Sequence, residues 1–238
     1  MIKKLNSKLI NQIAAGEVVD NPKSIIKELL ENSIDAKSTN IEIFIDKAGI
    51  EKIIIIDDGV GISHDELPIA FERFATSKIT NIDDLNNVET LGFRGEALPS
   101  IASVSNLRID SKSKKSSDSY SLSVKFGTLC DIRPSNIEGG TRIEIKNLFY
   151  NVPARKKFLK SEQSEYRKIL KLFKRIALSN YKVSFKLFHN NKLIYNLPIE
   201  SLENRIGSLF GKDVADACLM VDYEKDKYKI TGYIGNLS

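Results

Sequence analysis

"SIIKELLENSIDA", residues 24–36, is the stretch that most clearly decides the fold, because it separates into two faces when it is placed on a helix. At about 100° per residue its polar side chains fall within one arc, and its apolar or small side chains fall roughly opposite. Such a division is typical of a helix that packs on a core. The polar arc is either a solvated face or one wall of a site that holds a metal ion and a water molecule. Its members are Glu28, Glu31, Asn32 and Asp35.

The composition indicates a globular protein without a membrane span. The 238 residues suffice for one large domain or one and a half ordinary ones, and 42% of them are hydrophobic and 28% charged. No apolar run approaches the roughly 18 residues of a membrane span, and the N-terminal segment is too polar for a signal peptide. Cys130 and Cys218 lack metal-ligand spacing. We therefore expect a reduced, cytoplasmic chain.

Periodicity and turn signals predict an α+β protein, a two-layer sandwich in which helices cover one face of a mixed, mostly antiparallel sheet. We expect one domain over 1–200 and the incomplete beginning of a second over 201–238. The "IIIID" run is predicted to be a strand buried on both faces, and Ser63 and Glu66 to form a capping box. Helices are predicted over 7–18, 22–35, 63–74, 95–103, 162–178 and from about 201; strands over 39–49, 51–57, 104–110, 119–126, 140–146, 181–188, 192–197, 217–225 and 227–235.

"IIIIDDGVGI", residues 53–62, places a carboxylate directly after a buried strand. Asp57 there can accept a hydrogen bond from an amino group in a desolvated pocket, and such a charge-assisted bond rejects ligands that lack the donor. Gly59 and Gly61 would let the backbone approach a flat ring closely. The alternative is an ordinary turn after a strand, where Asp and Gly are favoured in any case.

"TLGFRGEAL", residues 90–98, is a glycine-bracketed loop that leads into a predicted helix. Backbone amides at such a position can bind phosphate, although a plain glycine-rich loop is an equal alternative. "ATSK", residues 75–78, adds polar groups that could close over the same phosphates. His64 and His189 are isolated and lack the spacing of zinc ligands.

Four segments together resemble one superfamily, the gyrase, chaperone, histidine-kinase and MutL (GHKL) ATPases. They are "NQIAAGEVVDNPKSIIKELLENSIDA", "FATSK", "LGFRGEALPSIASV" and "LFYNVPARKKFLK". Within that superfamily the chain resembles the N-terminal ATPase region of the MutL family of DNA mismatch-repair proteins. "GFRGEAL" and "NVPARKKF" are specific to this family, and the resemblance extends over about residues 5–200. It implies a Bergerat-type fold with ATP and Mg²⁺ as cofactors.

The resemblance implies a role for each matching residue. Glu28 would activate the water that attacks the γ-phosphate, and Asn32, one turn later on the same face, would bind Mg²⁺. For Glu31 and Asp35 we keep the interpretation of a solvated or capping face. Asp58 stands where many relatives have Asn, and we expect it still to support the turn. The remaining candidates are Asp57, Gly61 and Thr141 around the adenine, and Thr76, Lys78, Gly92, Phe93, Arg94, Gly95, Glu96, Ala97 and Leu98 around the phosphates.

A basic stripe is the candidate DNA-binding surface. Lys168, Lys171 and Arg175 share one face of the predicted helix 162–178, and Arg155 precedes them in a basic segment. Such a stripe could contact phosphates without reading sequence, or it could be a solvated face of a lysine-rich chain. The net charge of +5 is compatible with both. Arg155 is also a loop or interface candidate.

The resemblance implies an ATP-driven switch. ATP would order the lid around 92–98, which with residues 1–20 would favour a homodimer, and hydrolysis would reverse this. Partners would be DNA, mismatch-recognition proteins and other repair proteins. Since the chain stops before a lysine that reaches the γ-phosphate in relatives, we expect slow hydrolysis. The alternatives are a non-catalytic ATP-binding module for DNA or protein partners, or another GHKL ATPase such as a topoisomerase subunit, against which "NVPARKKF" argues.

Overall fold

Helices and strands follow one another along most of the chain. A computed structural model describes residues 3, 10, 15–16, 18–79, 83–84 and 90–236. The helices are α1 (Pro22–Asp35), α2 (Glu66–Ile69), α3 (Ala97–Ser103), α4 (Pro153–Phe158), α5 (Glu162–Ser179), α6 (Leu202–Phe210) and α7 (Lys212–Asp216). The strands are β1 (Asn40–Asp46), β2 (Lys52–Asp57), β3 (Asn106–Lys112), β4 (Ser119–Lys125), β5 (Thr128–Leu129), β6 (Arg133–Ser135), β7 (Gly140–Lys146), β8 (Ser184–His189), β9 (Lys192–Leu197), β10 (Cys218–Lys225) and β11 (Tyr228–Gly235).

Nine strands form one sheet, in the order β5-β4-β3-β7-β2-β1-β8-β9, with β6 also paired to β4. The β1–β8 pair is parallel, and the other pairs of the described strands are antiparallel. The hairpin β10–β11 makes a separate two-stranded sheet. The predicted α+β fold with a mixed, mostly antiparallel sheet is therefore confirmed.

The strand register places the buried side chains of the large sheet on one face. Ile55 of β2 lies opposite Ile43 of β1 and opposite Ile143 of β7, and all three are buried. Residues directly opposite one another in a sheet share a face. Leu187 of β8 pairs with Ile43 on its other side and extends the same layer. Helices α1 and α5 pack together over this core, and α1 also contacts β2 and α3.

The other face of the sheet carries ion pairs between charged side chains of its strands. Lys186 pairs with Glu42 across β8 and β1 at 2.8 Å, and Arg142 pairs with Glu144 along β7 at 2.6 Å. This arrangement explains why the prediction that β2 is buried on both faces is wrong. Ile54, like Ile56, points to the ion-pair face and is only partly buried, whereas the alternate residues of β2 are buried.

Helix α1 has the bounds that the sequence predicts. Asn21 caps it, because its side-chain oxygen accepts a 3.1 Å hydrogen bond from the amide of Ser24, and Pro22 occupies the first turn. The core face holds four fully buried aliphatic side chains, and burial of each contributes about 1.5–3 kcal/mol relative to exposure. They are Ile25, Ile26, Leu29 and Leu30.

Several local predictions need correction. The predicted helix 63–74 is only the four residues of α2, followed by turns; Ser63 still donates its amide to Glu66 at 3.2 Å, which is half of a capping box. Strands β5 and β6 and helices α4 and α7 are not predicted, because two to six residues give little periodic signal. The predicted helix 7–18 lies largely outside the described residues. No helix in the described part of the chain is long and apolar enough to cross a membrane.

Helix α6 packs on the large sheet's helix layer, although the sequence assigns it to a second unit. Arg205 is fully buried, and its guanidinium donates to Glu200 at 2.7 Å. It also donates to the carbonyl oxygens of Ala177, Tyr181, Val183 and Pro198. The division into 1–200 and 201–238 stays a prediction.

Candidate functional site

The buried carboxylate of Asp57 lies at the end of β2, under α1. It is 8% exposed, and it accepts hydrogen bonds from the Ser33 hydroxyl at 2.7 Å and from the Gly59 amide at 3.0 Å. Burial raises the pKa of Asp57, and these hydrogen bonds oppose the rise. The two bonds fix the orientation of the carboxylate and leave lone pairs for a further donor.

Thr141 lies directly opposite Asp57 in the β2–β7 register, so both side chains are on the helix-covered face. Its hydroxyl is 3.0 Å from the hydroxyl of Ser111 on β3, which also accepts the amide of Ile62 at 2.8 Å. Sequence reasoning missed Ser111. A serine in a strand carries no signal of its own, and only the register places Ser111 beside Thr141.

Gly61 is required by the path of the chain beside β3. It has a φ of +69°, and a Cβ there would lie 2.0 Å from the carbonyl oxygen of Lys112. A side chain at this position would therefore clash with backbone. Asp58, next to Asp57, turns away and accepts both the amide and the hydroxyl of Thr39 at 2.7 and 2.6 Å, so it supports the start of β1.

Asp35 and Asn32 on α1 both bind the ammonium group of Lys78. Lys78 Nζ lies 2.8 Å from Asn32 Oδ1 and 2.6 Å from Asp35 Oδ2. Asp35 also accepts the backbone amides of Leu91 and Gly92, at 3.0 and 3.2 Å. Its side chain is 7% exposed, so the interpretation of Asp35 as part of a solvated face is wrong. Its hydrogen-bond donors come from distant parts of the sequence: Lys78 is 43 positions from Asp35, and Leu91 is 56 positions from it.

Glu28 lies one turn before Asn32 on α1, and its side chain is 28% exposed. Lys27 pairs with Glu28 at 3.1 Å and with Glu31 at 2.6 Å. Burial alone would lower the pKa of Lys27, but these bonds outweigh it and raise that pKa. Glu31 is thus held in a partly buried ion pair on the surface of α1, and the interpretation of a solvated or capping face stays a prediction for it.

The glycine loop packs against the segment that contains Thr76 and Lys78. Gly95 has a φ of +62°, a Cβ there would lie 2.3 Å from the carbonyl oxygen of Ala75, and the amide of Phe74 donates to Gly95 at 3.1 Å. A Cβ at Gly92 would lie 3.4 Å from Lys78 Nζ. The structure therefore brings α1, the 74–78 segment and the glycine loop together.

The rest of the loop leads into α3. The guanidinium of Arg94, an exposed side chain, lies 5.7 Å from the centroid of the Phe93 ring. Glu96 precedes α3, whose first two residues are Ala97 and Leu98. Their roles toward phosphate stay predictions.

The basic stripe on α5 is smaller than the sequence suggests. Lys171 and Arg175 are exposed, opposite the face that buries Ile169 and Phe173. Lys168, by contrast, forms a 2.8 Å ion pair with Glu165, whose side chain is 1% exposed. Two cations of the stripe therefore remain directed to solvent.

Arg155 lies on α4 and contacts the N-terminal segment instead of extending the stripe. A Cβ built on Gly16 would lie 2.2 Å from its guanidinium nitrogen Nη2. Burial lowers the pKa of Arg155. This location fits the interface interpretation of Arg155 better than a solvent-directed DNA contact.

No group of three or more His, Cys, Asp or Glu side chains within the described ranges could hold a metal ion by itself. The Asn32 oxygen nevertheless fits a cation, since the Lys78 ammonium already binds it. Mg²⁺ commonly takes one or two protein oxygens and completes its shell with water and phosphate. The donor set around Asn32 is therefore compatible with a magnesium site of that kind.

Comparison with known proteins gives one consistent result. Residues 20–137 match the family of histidine kinase-, DNA gyrase B- and HSP90-like ATPases. The chain is 43% identical over 235 residues to the DNA mismatch repair protein MutL of Parabacteroides distasonis, covering 99% of this chain and 38% of that protein. It is 45% identical over 235 residues to MutL of Clostridium beijerinckii, covering 98% of this chain and 35% of that protein. The chain thus spans little more than a third of the length of these relatives.

A solved structure agrees with the sequence comparison. The ATPase domain of Aquifex aeolicus MutL, complexed with ADP, is 34% identical and superimposes with a TM-score of 0.65. The match covers 81% of this chain and 70% of that one.

Proposed function

Because the chain belongs to the MutL family of DNA mismatch-repair proteins, within its N-terminal GHKL ATPase region, we propose that it binds ATP and hydrolyses it slowly with Mg²⁺. The observation that carries the proposal is the buried Asp57 carboxylate, fixed by Ser33 and Gly59 beside the glycine-lined turn. The relative solved with ADP belongs to the same family and supports a nucleotide as the ligand.

At the adenine end, Asp57 accepts the hydrogen bond of the exocyclic amino group. Thr141 and Gly61 are the proposed neighbours of the base, on the basis of the β2–β7 register and the sharp turn at Gly61. A guanine presents a carbonyl oxygen at the corresponding position, and a carboxylate repels it. The pocket is therefore selective for adenine.

At the phosphate end, the glycine loop and the side chains of Thr76 and Lys78 surround the triphosphate. Asn32 would hold Mg²⁺ through its amide oxygen, where a bound ion would supply positive charge to the phosphates. Amides of the loop from Gly92 to Leu98, with Phe93, Arg94 and Glu96 between them, are the remaining phosphate candidates. The Lys78 ammonium supplies a positive charge that binds a phosphate oxygen.

Glu28 is the proposed catalytic base. It lies on the same face of α1 as Asn32, one turn earlier, and its side chain is partly exposed. A positioned base accelerates proton transfer by about 10²–10⁴-fold. Lys27, which pairs with Glu28, holds the carboxylate on the helix surface.

We propose further that nucleotide state controls association. ATP orders the glycine loop, and the ordered loop with the N-terminal segment favours a homodimer. Within one chain, Gly16 of that segment lies beside Arg155 of α4. DNA, mismatch-recognition proteins and other repair proteins are the proposed partners.

Nucleotide binding with and without Mg²⁺ tests the proposal. Calorimetric titration with a non-hydrolysable ATP analogue should show one site per chain, with tighter binding in Mg²⁺ than in EDTA. Light scattering of the same samples reports the mass. Absence of binding by a folded chain would contradict the proposed function, whereas binding without any mass change or turnover would favour the non-catalytic module.

A further inference from the structure

The cluster around Lys78 has the composition of a cation site. The Lys78 ammonium lies between a neutral amide oxygen, Asn32 Oδ1, and a buried carboxylate oxygen, Asp35 Oδ2, at 2.8 and 2.6 Å. Both oxygens therefore point at one atom that carries a unit positive charge. Amide and carboxylate oxygens are also ligands of Mg²⁺ and Mn²⁺.

We propose that Lys78 and a divalent cation compete for one site, formed by Asn32 Oδ1 and Asp35 Oδ2. A metal ion at the position of Nζ would need Asn32 Oδ1 to approach by about 0.7 Å and Asp35 Oδ2 by about 0.5 Å to reach the roughly 2.1 Å of a magnesium–oxygen bond. The ammonium and a divalent ion cannot both occupy it, since two cations at that separation repel strongly. Lys78 thus keeps the metal out until another anion binds Lys78.

Asp35 has a second function in this arrangement. It is the residue that connects the ammonium to the glycine loop, because the amides of Leu91 and Gly92 donate to the same carboxylate. Gly92 permits this close approach, since a Cβ there would lie 3.4 Å from Lys78 Nζ and 3.9 Å from Asn32 Oδ1. Exchange of Lys78 for a metal ion therefore takes place directly beneath the loop.

The physiological consequence rests on the proposed function, since it requires a nucleotide. A triphosphate offers the anion that binds the Lys78 ammonium, and Asn32 and Asp35 are then free for the metal. The metal would enter together with the nucleotide and not before it. This order prevents Mg²⁺, present in cells at far higher concentration than any one protein, from occupying the carboxylate in advance.

Binding of Mn²⁺ in the absence of nucleotide tests the competition by itself. Mn²⁺ takes the same oxygen ligands as Mg²⁺, and the free ion is counted by its electron paramagnetic resonance signal. Lys78→Met should tighten Mn²⁺ binding by about tenfold or more relative to the unsubstituted chain, because the competing charge-assisted pair is gone. Bound Mn²⁺ should broaden the amide resonance of Gly92, which locates the ion.

Three further variants complete the experiment. Lys78→Arg keeps a positive charge and should bind Mn²⁺ as weakly as the unsubstituted chain does. The double variant Lys78→Met with Asp35→Asn should bind Mn²⁺ more weakly than Lys78→Met alone. Lys37→Met removes an equal charge from an exposed lysine near Asp35 and should leave Mn²⁺ binding unchanged. Thermal unfolding of each variant confirms that it is folded.

The proposal is overturned if folded Lys78→Met binds Mn²⁺ no better than the unsubstituted chain, or if the double variant binds it equally well. These outcomes are independent of nucleotide. A chain that passes the Mn²⁺ test and yet binds no ATP analogue would contradict the proposed function and leave the competition intact.

Discussion

The hydroxyl of Ser33 on α1 donates a 2.7 Å hydrogen bond to the carboxylate of Asp57 at the end of β2. Both residues are buried, so the bond joins the first helix to the sheet at the candidate site. It also orients the group on which adenine selectivity is proposed to depend, because a carboxylate with one oxygen fixed cannot rotate freely.

Asp57→Asn should weaken ATP binding by about 1.5 kcal/mol, roughly tenfold, because a charge-assisted acceptor is replaced by a neutral one. The preference for ATP over GTP should fall as well. Competition calorimetry measures both. Asp58→Asn is the matched control, since Asp58 binds Thr39 and Asn40 instead of facing the pocket. Equal losses in the two variants would show that the effect is not specific to Asp57.

Glu28→Ala should lower the rate of ATP hydrolysis by about 10²–10⁴-fold, as expected for loss of a general base, while nucleotide affinity stays near that of the unsubstituted chain. A phosphate-release assay and calorimetry separate the two quantities. Glu31→Gln is the control, because Glu31 shares Lys27 with Glu28. If Glu31→Gln lost as much turnover, the role of Glu28 as base would be refuted.

The free energy of unfolding should decrease less on acidification in Asp58→Asn than in the unsubstituted chain. Burial alone would raise the pKa of Asp58, but hydrogen bonds from the Thr39 hydroxyl and from the amides of Asn40 and Thr39 outweigh it and lower that pKa. A carboxyl whose folded pKa is depressed stabilises the protein above its unfolded pKa, and this contribution is lost as pH falls through the folded value. Asp58→Asn should therefore be less stable than the unsubstituted chain at pH 7, with a difference that shrinks below about pH 4. Urea titrations at several pH values measure it, and a constant difference would contradict the assignment.

Arg205→Met should destabilise the chain by about 3–5 kcal/mol, since it removes the buried guanidinium that donates to Glu200 and to four carbonyl oxygens. Urea unfolding measures the loss. Lys174→Met is the control: Lys174 donates to the carbonyl of Leu209 from a partly exposed position, and its loss should cost about 1 kcal/mol. Comparable small losses in both would mean that α6 is not held to the domain by Arg205.

DNA binding through α5 should depend on salt. Replacing Lys171 and Arg175 together by Gln should weaken binding to duplexes of any sequence and reduce the salt slope by about 0.9 per lost phosphate contact. Fluorescence anisotropy over a salt series measures this. Lys168→Gln should affect stability more than DNA affinity, because Lys168 pairs with the buried Glu165. A slope unchanged by the double substitution would exclude this face of α5.

Much of this site could be predicted from the sequence because its signals are local. The polar arc of α1 and the "IIIID" run followed by glycine each lie within one short segment, and the structure gives both elements their predicted positions. The family-specific motifs gave the ATPase region directly. In each case neighbouring residues carry the information.

The errors arise where distant segments meet. Asp35 looks like a surface residue until Lys78 and the loop at Leu91 are folded onto it. The contact between Arg155 and Gly16 likewise joins segments far apart in the chain. Only one face of β2 is buried, because the helices that the structure describes cover only that face. The residues of the "IIIID" run do not themselves indicate which face this is.

The parallel pairing of β1 with β8 has a consequence for synthesis of the chain on the ribosome. Glu42 and its partner Lys186 are 144 positions apart, so β1 lacks one neighbour until β8 has been made. At about 5–20 residues per second this interval lasts roughly 7–30 s. During that time a strand containing Ile41, Ile43 and Ile45 presents an open edge, the kind of surface that chaperones bind and that associates with other nascent chains.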